Sequence, residues 1–199
     1  MKIVCVTSSP RRDGNSATLA GMLLEGLPDA ELRRYHLWDL QFQGCRGCMA
    51  CRKTSDACVA RDDATPVLED IVRADVTVLA APIYLHAVNG EMKSLMDRFF
   101  SFMATDHFKR LAAGEMYFPT RLSQGKTIVL VLAHGRPADF YHFLDASLRD
   151  IMLDKGFSEV EILRGNLLNS ARDIHAREDL REKARELAAT LRARYGATA

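Results

Sequence analysis

The chain has 199 residues, the usual length of one domain, and an average globular composition with 48% hydrophobic and 27% charged residues. Lys and Arg number 27 against 26 Asp and Glu, a net charge of +1 that argues against nucleic-acid or anionic-membrane partners, which favour clustered positive charge. No apolar run approaches the roughly 20 residues of a membrane span, and the first residues lack a signal-peptide core. We therefore expect a single cytoplasmic domain over residues 1–199, with no membrane partner.

Short apolar runs rich in β-branched residues alternate along the chain with amphipathic patterns typical of helices. Pro66 fits a helix start and Gly156 a helix end. In chain order we predict strands over 2–7, 32–37, 75–81, 127–133 and 160–163. We predict helices over 15–27, 90–104, 140–155 and 179–194, and a further helix that begins at Thr65. Between these elements lie a cysteine-bearing loop at 38–63, a loop at 82–89 and an insertion at about 105–125.

Five strands separated by helices predict an α/β fold with a parallel sheet covered on both faces. For five strands we expect the doubly wound, flavodoxin-like order 2-1-3-4-5, in which ligands bind beyond the carboxyl ends of the strands. The loops after Thr7, Ala81 and Ala133 should then carry the site. The insertion is long for a connection and holds Phe108 and Tyr117 with the adjacent Phe118, so we expect a lid or a subunit contact there.

The loop after the first strand is rich in hydroxyl groups and leads into a helix N-terminus, which favours an anion. Ser9, Asn15 and Ser16 can donate hydrogen bonds, and Arg11 can neutralise charge. The loop lacks the glycine pair and lysine of a nucleotide-hydrolysing P-loop, and its single Gly14 falls short of a dinucleotide fingerprint. Cys5 and Arg11 have the C-x5-R spacing of a tyrosine phosphatase, but Cys5 lies within the apolar run and is expected in the core.

The loop after the third strand is expected to meet a flat ring. Pro82 stiffens the strand exit, Tyr84 supplies a planar face, and Asn89 with Gly90 begins the next helix. A phosphate site on one loop and a flat heteroaromatic site on the next describe one FMN, because the two loops leave the same edge of the sheet.

The two loops together resemble the NADPH-dependent FMN reductase family of flavodoxin-like proteins. The resemblance rests on residues 9–16, 82–84 and 89–93 and on the continuation 96–99, and it covers roughly residues 1–135. It implies that the first loop holds the FMN phosphate and the second cradles the isoalloxazine. To this set we add Gly14 and His134, which follows the fourth strand. The expected cofactor-binding residues are Ser9, Arg11, Gly14, Asn15, Ser16, Pro82, Ile83, Tyr84, Leu85, Asn89, Gly90 and His134.

Four of the five cysteines follow the second strand with the spacing C-x2-C-x2-C-x6-C, namely Cys45, Cys48, Cys51 and Cys58. Four closely spaced thiolates are the ligand count of a [4Fe–4S] cluster, and the run resembles the iron-sulfur flavoprotein branch of the family. Zinc and reactive or disulfide-forming thiols are the alternatives. Because parallel strands share their carboxyl edge, we expect the cysteines on the FMN side of the sheet.

These features predict an FMN-dependent NAD(P)H oxidoreductase, in which reduced nicotinamide is a transient substrate and the flavin carries the chemistry. Electrons would pass to a quinone, a flavin or a protein acceptor, directly or through the cluster. The alternative is a non-catalytic, flavodoxin-like electron carrier. Residues 96–103 are apolar on all sides, which predicts burial against another subunit and hence a homo-oligomer, a dimer or a tetramer.

Overall fold

A computed structural model describes residues 1–103, 106–115, 120–171 and 173–196, without the side chains of residues 107 and 108. Strands and helices alternate along the chain, as the sequence pattern predicts. The strands are β1 (Lys2–Thr7), β2 (Glu31–His36), β3 (Val76–Tyr84), β4 (Ala87–Val88), β5 (Thr127–Ala133) and β6 (Glu159–Gly165), and the helices are α1 (Asn15–Glu25), α2 (Ala64–Arg73), α3 (Gly90–Asp97), α4 (His107–Ala112), α5 (His142–Asp154) and α6 (Glu178–Tyr195).

The sheet has the order β2-β1-β3-β5-β6, all parallel, and the short β4 pairs antiparallel with the end of β3. The predicted α/β fold and order 2-1-3-4-5 are confirmed, with β4 as an additional strand. Side chains along each strand alternate between two apolar layers, because successive residues point to opposite faces. One layer packs against α2, α3 and α5, and the other packs against α1 and α6.

Cys5 belongs to the second layer and is 1% exposed, as predicted for a core residue. Burial raises the pKa of its thiol to about 12, although the positive charge of Arg34 acts in the opposite direction. A buried, protonated thiol cannot act as the nucleophile of a phosphatase, so the C-x5-R spacing has no catalytic meaning here.

Two predicted elements differ from the structure. The predicted loop at 82–89 is instead a β-hairpin, because β3 runs on through Pro82 to Tyr84 and pairs with Ala87 and Val88. The turn between the strands is formed by Leu85 and His86, which both have positive φ angles, 47° and 67°. The predicted helix over 90–104 ends at Asp97 and tightens into a 3-10 helix over Arg98–Phe102.

The apolar stretch 96–103 packs mainly within its own chain. Its side chains Met96, Phe99, Phe102 and Met103 are 8%, 1%, 0% and 3% exposed within this one chain, and the rings of Phe99 and Phe102 stack at 4.7 Å. The tightened 3-10 turn allows the segment to bury these side chains in the chain's own core. The argument from this segment is therefore wrong, and the homo-oligomer stays a prediction.

The insertion at 105–125 contains α4. Tyr117, Phe118 and the side chain of Phe108 lie outside the described residues. No helix in the described part of the chain is both long and apolar enough to cross a bilayer.

Candidate functional site

A cavity lies at the carboxyl edge of the sheet, where four connecting segments meet. It is lined by the loop after β1, the end of β3, the residues after β5 and a segment after β6. Eight of the twelve expected cofactor-binding residues line it. These eight are Ser9, Arg11, Asn15, Ser16, Pro82, Ile83, Tyr84 and His134, and the remaining lining residues are Ala133, Gly135, Leu168 and Asn169.

The loop after β1 folds back on itself before α1 begins. The Ser9 hydroxyl accepts a hydrogen bond from the Arg11 amide at 3.2 Å, and the Gly14 amide donates to the Arg11 carbonyl at 3.0 Å. A Cβ atom at position 14 would lie 2.3 Å from Ser9 Oγ, so any larger residue there would displace the Ser9 side chain. Gly14 does not line the cavity, and its amide is already used. Its contribution is to let the loop close.

The start of α1 places buried polar atoms in the cavity wall. Asn15 Nδ2 donates to the Ser170 carbonyl at 2.8 Å, whereas Asn15 Oδ1 and Ser16 Oγ have no hydrogen-bond partner in the described part of the chain. Asn15 is 8% exposed and Ser16 2%. Buried polar atoms of folded proteins are nearly always hydrogen-bonded, so these two oxygens are available to bind a ligand or a water molecule. The amides of the first helical turn are free for the same ligand.

The hairpin forms the opposite wall. Pro82 and Ile83 line the cavity, and Tyr84 is 50% exposed beside it. At the hairpin tip Leu85 is 97% exposed and does not line the cavity. The neighbouring His86 ring packs against the start of α5, with centroids 5.7 Å from Phe140, 5.4 Å from Tyr141 and 6.1 Å from Phe143. These contacts fix a turn whose positive φ angles are unfavourable for non-glycine residues.

Asn89 and Gly90 do not line the cavity either. The Asn89 side chain is 3% exposed and forms hydrogen bonds with Ser8 and Glu91. Both its amide nitrogen and its amide oxygen are therefore already engaged within the protein. Trp38 Nε1 also donates a hydrogen bond to the Ser8 carbonyl, with a length of 3.0 Å. Ser8 and Trp38 were missed by the sequence analysis, and they connect the first loop to the hairpin and to the beginning of the cysteine loop.

His134 lies where the hairpin wall of the cavity meets the residues after β5. Its Nδ1 accepts a hydrogen bond from the Arg136 amide at 3.2 Å, which places the proton on Nε2, and its ring meets Tyr141 edge-on at 4.8 Å. Burial, and secondly the charge of Arg164, lowers the pKa of His134 to about 4. Arg164 lies behind it and is ion-paired with Asp145. At neutral pH His134 is therefore an uncharged member of the wall.

The four cysteines of the loop line a different cavity, together with Arg98, Phe100 and Ser101. The Gly47 amide donates to Cys45 Sγ at 3.4 Å. Among the described residues, however, no three His, Cys, Asp or Glu side chains are arranged so that they could hold one metal ion. The structure thus brings Cys45, Cys48, Cys51 and Cys58 to one place without forming a ligand set, and none of them lines the strand-end cavity.

Comparison with known proteins agrees with this architecture. The family model of the NADPH-dependent FMN reductases matches residues 1–140. An iron-sulfur flavoprotein of Methanocaldococcus jannaschii is 32% identical over 100 residues, covering 49% of this chain and 51% of that protein. An FMN reductase (NADPH) of Escherichia coli is 26% identical over 165 residues, covering 83% of this chain and 71% of that protein.

Solved structures show the same fold. An NAD(P)H:quinone oxidoreductase from Methanothermobacter marburgensis superposes with a TM-score of 0.69 at 19% identity, covering 96% of each chain. The chain spans about half the length of the iron-sulfur flavoproteins that it matches first. The family match covers well over half of the sequence, so the chain belongs to the NADPH-dependent FMN reductase family.

Proposed function

We propose that this chain binds FMN in the strand-end cavity and uses it to pass electrons from reduced nicotinamide to an acceptor. The observation that carries the proposal is the composition of the cavity wall. One end has a helix N-terminus with buried hydroxyl and amide oxygens, and the other has the apolar and aromatic residues Pro82, Ile83 and Tyr84. A phosphate and a flat ring on one small molecule match these two ends, and the family membership supports the assignment.

At the phosphate end, the residues of the first loop suit an anion. The Ser16 hydroxyl can donate a hydrogen bond, the first amides of α1 point toward the same end, and the exposed Arg11 adds a positive charge. The unpartnered atom of Asn15 is Oδ1, an amide oxygen that can only accept a hydrogen bond, while Nδ2 already donates to the Ser170 carbonyl. Asn15 therefore suits a hydroxyl group of the ligand rather than the phosphate itself.

At the ring end, the wall is uncharged. Pro82 and Ile83 exclude water from one side, and the neutral imidazole of His134 presents no charge at physiological pH. Bound FMN would supply the hydride-transfer chemistry between nicotinamide and acceptor. The protein residues bind and orient the ring, and none is required as an acid or a base.

The test is the visible spectrum of anaerobically purified protein, followed by steady-state assays with NADH or NADPH and with a quinone or ferricyanide as acceptor. Flavin absorbance together with nicotinamide oxidation would support the oxidoreductase. Flavin absorbance without nicotinamide oxidation would favour the electron carrier. A protein that neither contains flavin nor binds added FMN would contradict both.

The cysteine cavity carries a second candidate, a [4Fe–4S] cluster that would exchange electrons with the flavin. The favourable observation is the buried Arg98, which pairs with Asp62 at 2.9 Å and has Cys58 beside it. Its Nε and Nη2 have no acceptor among the described residues, which suits a negatively charged group in the cavity. The thiols do not fit a cluster as they are arranged, so no step of the reaction is assigned to one.

A further inference from the structure

The segment that follows β6, residues 166–170, is a wall of the strand-end cavity that sequence analysis did not identify. Leu168 and Asn169 line the cavity beside the expected residues. The segment leaves the sheet at the same edge as the other three loops because β6 is parallel to them. Asn169 is exposed, and its side-chain amide makes no hydrogen bond within the described part of the chain.

The backbone around Asn169 is fixed by its neighbours. Asp173 Oδ2 accepts hydrogen bonds from the backbone amides of Asn169 and Ser170, both at 2.7 Å. The side-chain hydrogen bond from Ser170, followed by these backbone bonds, lowers the pKa of the Asp173 carboxyl group, so the carboxylate form persists at neutral pH. The Leu168 amide donates to the His134 carbonyl at 3.0 Å. The backbone at Asn169 is therefore held in place before any ligand arrives.

The segment spans the two ends of the cavity. At the phosphate end it is tied to α1, because Asn15 donates to the Ser170 carbonyl. At the ring end it is tied to His134 through Leu168. Asn169 lies between these two attachments and closely faces Gly135, where a Cβ atom would be 2.2 Å from Asn169 Oδ1. It thus borders the middle of the cavity.

We infer that Asn169 binds the ribityl chain of the flavin, an inference that rests on the FMN site proposed above. The ribityl chain joins the phosphate to the ring and carries hydroxyl groups, each of which both donates and accepts a hydrogen bond. A side-chain amide offers both functions, and the unpaired Asn15 Oδ1 adds an acceptor from the same side. The ribityl chain therefore matches the unpaired side-chain amide of Asn169, which lies between the proposed phosphate and ring ends of the cavity.

The test compares the dissociation constants of FMN, riboflavin and lumiflavin, which lacks the ribityl chain, for the wild-type protein and Asn169→Ala. The loss of one or two hydrogen bonds in Asn169→Ala should raise the dissociation constants of FMN and riboflavin by about 5- to 20-fold. Lumiflavin should bind equally to both proteins. Asn166→Ala is the matched control, since Asn166 belongs to the same segment but does not line the cavity.

A second variant keeps the shape of the side chain. Asn169→Asp removes the donor and adds a negative charge to the cavity wall, so it should weaken the binding of FMN, which carries a charged phosphate, more than the binding of riboflavin. If both variants bind FMN as the wild type does, the inference is wrong and the FMN site stands. Equal weakening of all three ligands would show a structural role and also overturn the inference. If the wild type binds none of them, the proposed FMN site itself fails.

Discussion

The side chain of Asn89 joins the loop after β1 to the β3–β4 hairpin through Ser8. Asn89 Nδ2 donates to the Ser8 carbonyl at 2.7 Å, and Ser8 Oγ donates to Asn89 Oδ1 at 2.5 Å. Both residues are nearly inaccessible to water, at 3% and 0% exposure. Two reciprocal hydrogen bonds between segments 81 residues apart in sequence fix the separation of the two walls that a flavin would have to fit.

Asn89→Asp should weaken this connection while conserving the shape of the side chain. One carboxylate oxygen would face the Ser8 carbonyl and the Glu91 carboxylate, where the amide now donates. The free energy of unfolding should fall by about 1–3 kcal/mol, measured by denaturant titration, and FMN should bind more weakly. Glu91→Gln is the control, because it retains an acceptor for Asn89, and a change below about 0.5 kcal/mol is expected. Equal losses in both variants would contradict the role assigned to Asn89.

Ser16→Asp tests the phosphate end directly. A carboxylate at this position would repel the FMN phosphate, so the purified variant should be colourless. Because Ser16 is 2% exposed, burying the larger carboxylate should lower the melting temperature, and its favourable interaction with the dipole of α1 should offset part of that loss. Flavin content and melting temperature, measured on the same preparation, separate the two effects.

Ser16→Asn is the neutral counterpart of this change. It has nearly the size of Asp without the charge, so it should retain more flavin than Ser16→Asp. A normal flavin content in Ser16→Asp would remove the first loop from the cofactor site, whatever the result for Ser16→Asn.

The sheet could be predicted from sequence because buried parallel strands are continuous apolar runs. β5 has the predicted bounds, and the order of the parallel strands follows from right-handed crossovers. The hairpin at 82–88 could not be predicted. Its turn residues, Leu85 and His86, carry no hairpin signal such as Asn-Gly, and the contacts of His86 with Phe140 and Phe143 come from a distant part of the chain.

The site was predicted in part for the same reason. Hydroxyl and aromatic residues after β1 and β3 follow from local sequence, and the structure places eight of the twelve in one cavity. Asn89 lies outside it because its tertiary partner, Ser8, occupies its side chain. Asn169 carried a signal that was overlooked, since Asn169 and Ser170 follow a strand whose carboxyl end shares the edge with the other loops.

The lowered pKa of His134 should be visible in the pH dependence of the free energy of unfolding. Burial, followed by the charge of Arg164, lowers its folded-state pKa to about 4, whereas an unfolded histidine titrates near 6.5. The unfolded chain therefore binds the proton more tightly, and this histidine lowers the free energy of unfolding as the pH falls from 6.5 toward 4. Between pH 7.5 and 5 the loss should be about 1–2 kcal/mol.

His134→Gln should reduce the decrease in unfolding free energy on acidification by that amount. The other charged or titratable groups near His134 are Arg164 with its partner Asp145, Tyr141, Arg136 and, beyond Tyr141, His86. All of them are present in both proteins, so their contributions cancel in the comparison. The exposed His175 provides the control, as His175→Gln should leave the wild-type pH dependence in place. Identical pH dependence in wild type and His134→Gln would show that His134 titrates normally.

Anaerobic reconstitution with iron and sulfide decides what the cysteine cavity holds. If it holds a cluster, wild-type protein should take up about four irons per chain and show a low-temperature EPR signal after reduction. Replacement of Cys45, Cys48, Cys51 or Cys58 by Ser should remove the iron and leave FMN bound, because no cysteine lines the strand-end cavity. Cys5→Ala is the matched control, since Cys5 lies in β1 within the core and its loss should not change iron uptake. Fewer than one iron per wild-type chain would exclude the cluster, and unchanged reductase rates in all four variants would then leave FMN as the only redox centre.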